Sequence, residues 1–117
     1  MGLSDPQSYL IPAAVLAFLG WRRWSFLAVR KRLPELLKQG AVVVDVRSPA
    51  EFAAGAGPGS LNIPLGDLAQ GLKRLDPAKP VVVCCASGTR SAAAAAILRK
   101  NGFTRVVNAG PWTNTVV

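Results

Sequence analysis

The chain of 117 residues contains no histidine. That absence removes His-based metal sites, Ser-His-Asp and Cys-His catalysis, and imidazole acid–base chemistry together. Cysteine is nearly as scarce, and the two present, Cys84 and Cys85, are neighbours. Adjacent cysteines give neither a disulfide framework nor a zinc site, so the sequence offers no metal centre and no cofactor motif. Thiol chemistry in a reducing compartment is the use of cysteine that remains. Acidic residues number 6 against 14 Lys and Arg, for a net charge of +8. Internal repeats and low-complexity segments are absent, and with half of its residues apolar the chain has room for one compact core.

The positive charge is not spread evenly. Arg22, Arg23, Arg30, Lys31 and Arg32 follow directly on the apolar stretch Tyr9 to Leu19, which only Pro12 interrupts, and Trp21 and Trp24 bracket the first arginines. Cations and interfacial aromatics in that order suit a membrane flank better than a nucleic-acid groove, so no nucleic-acid partner is expected. Residues 1–25 are therefore read as a hydrophobic and basic membrane-associating segment carrying a transmembrane helix, and residues 26–117 as the globular domain. The positive-inside rule places that domain at the cytoplasmic face. The alternative is a buried or amphipathic helix of a soluble cytoplasmic protein, because the apolar stretch is short for a span of about 20 residues. Neither a myristoylation signal nor a twin-arginine signal fits the N-terminus.

Within the globular part, Phe26 to Val29 reads as a short strand and Pro34 to Gln39 as a short helix stopped by Gly40. Ala41 to Val46 is continuously β-branched apart from Ala41 and Asp45, which is the signature of a buried strand. Ser48-Pro49-Ala50-Glu51 carries a capping box with proline at the first helical position, so a helix runs from Pro49 to about Ala54. Gly55 to Gly59 is a turn, and Leu61 to Pro64 allows another short strand. Leu65, Leu68, Leu72 and Leu75 then recur at helical spacing. Val81 to Cys85 is a strand, Ser91 to Asn101 an alanine-rich helix ending in Arg99 and Lys100, and Arg105 to Asn108 a last strand. Strands alternating with helices predict a parallel sheet covered on both faces, with the site beyond the strands' C-terminal ends.

Cys85 falls at such an end, at the start of the loop Ala86, Ser87, Gly88, Thr89 and Arg90. Loop N–H groups and a helix N-terminus favour negative charge, so the Cys85 thiol is expected below its ordinary value of about 8.5 and nucleophilic near neutral pH. Cys84 points the opposite way by strand alternation and reads as a core thiol. Gly88 supplies the permissive backbone angles of a tight loop, whereas helix capping and solvent exposure account for Ser87 and Thr89 as well as a role in the site does. Arg90 either binds an anionic ligand or braces the loop; bracing is favoured, with Asp45 as its partner. Arg47 and Glu51 read as structural supports.

Three motifs in order, Asp45-Val46-Arg47-Ser48-Pro49-Ala50-Glu51-Phe52, Pro58-Gly59-Ser60-Leu61-Asn62-Ile63-Pro64 and Cys85-Ala86-Ser87-Gly88-Thr89-Arg90, resemble a single-domain rhodanese over roughly Arg30 to Trp112. The resemblance implies a small three-layer α/β domain with a central parallel sheet. It also implies sulfur transfer: Cys85 takes sulfane sulfur from a small-molecule donor such as thiosulfate, becomes a persulfide, and passes the sulfur to a thiol or cyanide acceptor. In that reading the amides from Ala86 to Arg90 surround the persulfide. The four residues between Cys85 and Arg90 make a narrower ring than the longer loop of the related phosphatases, which suits sulfur rather than a phosphate dianion. Ala56-Gly57 departs from the family's usual His and apolar residue before Pro58-Gly59, and the sequence ends five residues after Trp112, so a closing helix seen in many relatives is expected to be missing. The second function class is a non-catalytic sulfur carrier or protein-binding module with the same fold.

Overall fold

In a computed structural model, which describes residues 7–116 with side chains from residue 12 onward, four parallel strands form the middle layer. They are β1 (Val42–Asp45), β2 (Leu61–Asn62), β3 (Val81–Cys85) and β4 (Val106–Pro111), in the spatial order β2-β1-β3-β4. The register aligns Asp45 with both Asn62 and Cys84, so three chemically distinct side chains end at one level. On β4 an extra residue, Ala109, lies between the pairs Val83–Asn108 and Cys84–Gly110. Such a bulge bends the strand locally, here beside Cys85.

Side-chain alternation sorts the core into two clusters. Val44, Val81, Val83 and Cys85 face α4 (Thr89–Lys100), through Ala94, Ala95 and Leu98, and the short α3 (Leu68–Gly71), through Leu68. Val43, Val82, Cys84 and Ala109 face α1 (Gln7–Lys38) through Val29, Leu33 and Leu36. The expected three layers are present, and the adjacent cysteines lie on opposite faces of the sheet as alternation requires. The capping box also forms: Ser48 Oγ accepts from the Glu51 N–H at 3.2 Å and the Glu51 carboxylate accepts from the Ser48 N–H at 3.2 Å, starting α2 (Pro49–Ala54).

Three local expectations are corrected. Phe26 to Val29 is not a strand and Pro34 does not begin a helix; both lie inside α1. The reason is a stripe at helical spacing, Phe26, Val29, Leu33 and Leu36, that covers the sheet and overrides the strand reading of a short apolar run. Pro34 is exposed, so the carbonyl its ring leaves without a helical donor is on the side where water can reach it. The Leu65 to Leu75 helix is reduced to α3 between two 3-10 turns, Leu65–Asp67 and Leu72–Arg74. Gly71 is the close-approach point there, since a Cβ on it would stand 2.9 Å from Ile63.

The transmembrane expectation is overturned as well. Among the described residues no helix is long and apolar enough to cross a membrane. Eleven residues from Tyr9 to Leu19 span about 16 Å as helix, roughly half of a hydrocarbon core near 30 Å. The helix also continues unbroken through the boundary expected between residues 25 and 26. The part of the 1–25 segment before Gln7 lies outside the described residues.

Because Leu33 is fully buried while Leu16 is 69% exposed on the same helix, their truncations are expected to diverge. Leu33→Ala should cost about 2–5 kcal/mol and Leu16→Ala under about 0.5, read from urea unfolding midpoints. Equal effects would mean that the C-terminal half of α1 is not part of the domain core.

Candidate active site

β3 delivers Cys85 to the end of the sheet, and α4 begins four residues later at Thr89. The turn between them is made possible by Gly88, which sits in the left-handed region at φ 106°. A side chain there would be strained and would also collide with Phe26, whose ring lies 2.7 Å from the site of a Cβ. Gly110, at φ 69°, leaves the other half of the same notch. Phe26 of α1 thus fits against two glycines, one in the loop and one at the end of β4.

Cys85 is fully buried and its sulfur lies beneath the loop. The Gly88 N–H donates to Sγ at 2.9 Å. Burial pushes the thiol up, but hydrogen bonds from the Ser91 side chain and from the backbone N–H groups of Ser91, Gly88 and Ser87 outweigh it, and the net direction is down. In the thiol form the Cys85 S–H donates to Ser91 Oγ at 3.4 Å, and the Ser91 O–H donates to Asn108 Oδ1 at 2.7 Å. A hydroxyl holds one proton, so ionised sulfur and Asn108 compete for it. Asn108 Oδ1 keeps a second donor, the Gly110 N–H at 2.9 Å. Cys84, by contrast, is pushed up to about 12 by burial first and by the nearby Asp45 carboxylate. One of two adjacent thiols is therefore favoured as the anion.

The supports differ in one respect from the pairing expected. Arg90 braces the loop, but its partner is Glu51: Nη1 and Nη2 donate to Oε1 and Oε2 at 2.7 and 3.0 Å. Asp45 is occupied by Arg47, whose Nε and Nη2 donate to it at 2.9 and 2.7 Å within a buried pair. Arg47 also donates to the carbonyls of Gly55 at 2.7 Å and Glu51 at 3.3 Å, and stacks 4.8 Å from the centre of the Trp112 ring. Sequence proximity explains the choice: Arg47 is two residues from Asp45 and has the shorter reach. Ala86, Ser87 and Thr89 are exposed at the loop surface.

Sequence reasoning missed Ser91, Asn108 and Arg22. Ser91 had a local signal, a hydroxyl in the first turn of a helix just ahead of a run of five alanines. Arg22 had none, because its contact with the loop crosses 65 residues: its Nη2 donates to the Ser87 carbonyl at 3.0 Å. The departure at Ala56-Gly57 also finds a reason, since Gly57 is buried against Thr115 of the C-terminal 3-10 turn (Trp112–Thr115), and a side chain would overlap the Thr115 hydroxyl. Among the described residues no cluster of three or more His, Cys, Asp or Glu could hold a metal.

Fold and site define a class of protein: a parallel α/β domain presenting one favoured thiolate from a strand–loop–helix turn. The chain belongs to the rhodanese-like domain family, whose model matches residues 29–110, more than half of it. It is 40% identical over 81 residues to the thiosulfate sulfurtransferase GlpE of Pseudomonas syringae pv. syringae, covering 65% of this chain and 76% of that one. It is 44% identical over 68 residues to protein YqhL of Bacillus subtilis, covering 58% of this chain and 54%, about half, of the relative's length. Among solved structures, the human single-domain sulfurtransferase TSTD1 superposes with a TM-score of 0.60 at 36% identity, over 72% of this chain and 88% of that chain. A rhodanese-related protein from Thermoplasma volcanium gives 0.62 at 38% identity, over 70% and 81%.

The ion pair from Glu51 to Arg90 makes loop support pH-dependent. Hydrogen bonds first from Arg90 and then from Ser48 hold the Glu51 carboxyl down at about 2 against an ordinary 4.5. The folded-state value is depressed, so the contribution is complete above pH 4.5 and is lost as pH falls toward 2. Glu51→Gln should therefore lower the urea midpoint at pH 6, with the gap to the parent closing as pH approaches 2. A gap of constant size across that range would assign the effect to packing and not to charge.

Proposed function

We propose that this protein is a thiosulfate sulfurtransferase working through a persulfide on Cys85, and that Ala86 to Arg90 form its anion-binding loop. The observation that supports this best is the placement of the buried Cys85 sulfur against an inward-facing N–H at 2.9 Å, with its neighbour Cys84 pushed up to about 12. The Cys85 thiolate attacks the outer sulfur of thiosulfate. The S–S bond of the donor breaks, its electron pair leaves with sulfite, and the outer sulfur stays on Cys85 as an anionic persulfide. A cyanide or thiolate acceptor then attacks that outer sulfur, leaving as thiocyanate or as its own persulfide and returning the Cys85 thiolate. No proton need be moved at the sulfur in either half, which agrees with a chain that lacks histidine. The loop amides hold the negative charge that persists throughout, and Asp45, Arg47, Glu51 and Arg90 hold the loop.

A second reading has one observation in its favour: a relative 35% identical over 75 residues is named a putative sulfur carrier protein, YrkF of Bacillus subtilis. A carrier would load the same Cys85 persulfide and unload it only onto a protein partner. Intact mass after thiosulfate treatment and steady-state thiosulfate:cyanide and thiosulfate:thiol transfer separate the readings. The enzyme reading expects one added sulfur atom, turnover with a small acceptor, loss of both in Cys85→Ser and their retention in Cys84→Ser. Loading without turnover supports the carrier, and turnover surviving in Cys85→Ser sinks the site assignment.

A further inference from the structure

One element at the active-site loop remains without a function: the middle of α1. Arg22 is half-buried there, with its guanidinium 5.4 Å from the centre of the Phe26 ring. Phe26 is in turn fixed by the notch of Gly88 and Gly110, so the cation is aimed at the loop and not left to wander. Its Nη2 donates to the Ser87 carbonyl. The Ser87 carbonyl and the Gly88 N–H belong to one peptide unit, and that N–H donates to Cys85 Sγ. Guanidinium, carbonyl, amide and sulfur therefore form one continuous hydrogen-bonded chain.

We propose that Arg22 is a positioning residue of the active site, acting through the Ser87–Gly88 peptide to orient and polarise the amide that stabilises the Cys85 anion. A charge-assisted hydrogen bond to a carbonyl draws electron density from the amide nitrogen and strengthens its N–H as a donor. The same contact fixes the peptide plane, so the N–H cannot turn away from the sulfur. The other charges around Cys85 are already paired: Arg90 of α4 with Glu51 of α2, and Arg47 with Asp45 after β1. Cys84 on β3 stays protonated at neutral pH. Among the described residues Arg22 is thus a cation at the loop without a carboxylate partner.

The proposal rests on Cys85 as the reactive sulfur but not on turnover, and its test reads the thiolate directly. The full-length protein is alkylated with iodoacetamide across pH 5–10, with Cys85 and Cys84 resolved by peptide mass, in the parent and in Arg22→Ala, Arg22→Lys and Arg23→Ala. Arg23, the exposed neighbour on α1, controls for general loss of positive charge. Arg22→Ala is expected to move the Cys85 profile to higher pH by about 0.5–1 unit, with Arg22→Lys recovering at least half of that and Arg23→Ala leaving it in place. An unmoved profile in Arg22→Ala, an equal shift in Arg23→Ala, or no recovery by lysine would overturn the relay. Thermal melts of each variant identify any that unfold, in which case the Lys and Arg23 arms decide. If the parent takes up no sulfur from thiosulfate, the proposed function fails while the relay is still read from these profiles.

Discussion

The buried pair of Asp45 and Arg47 is the constraint on which the site end of the molecule depends. Burying two charges gives back the desolvation cost only when every remaining donor and acceptor is satisfied. Here the carboxylate takes the Arg47 backbone N–H, Nε and Nη2, while the guanidinium reaches on to the Gly55 and Glu51 carbonyls and lies against Trp112. Among the described residues no buried side-chain nitrogen or oxygen lacks a partner. The pair thus ties the end of β1 to both termini of α2 and to the C-terminal turn, and Asn62 of β2 adds two bonds to the carbonyls of Asp45 and Arg47. Charge that would be a liability in a β-branched core becomes the fastener between the sheet and its loops.

From that fastener the support passes outward in one direction. Arg47 fixes α2, α2 carries Glu51, and Glu51 holds Arg90 at the head of α4. On the opposite side the loop meets α1 through Phe26 and Arg22. Glycine is needed where these two supports converge, because a Cβ on Gly88 or Gly110 would occupy the volume of the Phe26 ring. The loop is therefore held from two elements that are distant in sequence, and its amides can be preorganised without any metal or disulfide among the described residues. Preorganised donors that need not reorient when charge arrives are the form of stabilisation an anionic sulfur can use.

Much of this was legible from local pattern. The capping box at Ser48 and Glu51, the strand ending at Cys85, the alanine helix after it and the opposed orientation of Cys84 each follow from short-range rules, and each is present. What was not legible depends on contacts across the chain. Phe26 to Val29 looks like a strand in isolation and becomes helix because the sheet needs a covering stripe at helical spacing. Arg90 pairs with Glu51 and not Asp45 because Arg47, two residues away, reaches that carboxylate first. Ser91 and Asn108 meet because Asn108 pairs with Val83, whose side of the sheet faces α4, a juxtaposition that depends on strand register across the chain.

The basic cluster on α1 illustrates how one composition supports two physical uses. Arg22 beside Trp21 and Trp24 reads as the flank of a membrane segment, and a flank needs only a charge in roughly the right place. The structure asks more of it. A guanidinium that stacks on Phe26 and donates to one particular carbonyl is held by geometry, and a lysine or a shifted arginine would meet only part of that geometry. Arg23, one residue on, turns to solvent on the same helix and carries no such constraint. Adjacent arginines on a helix stand about 100° apart, so only one of the two can face the loop. The helical phase set by Val29, Leu33 and Leu36 packing on the sheet decides that it is Arg22.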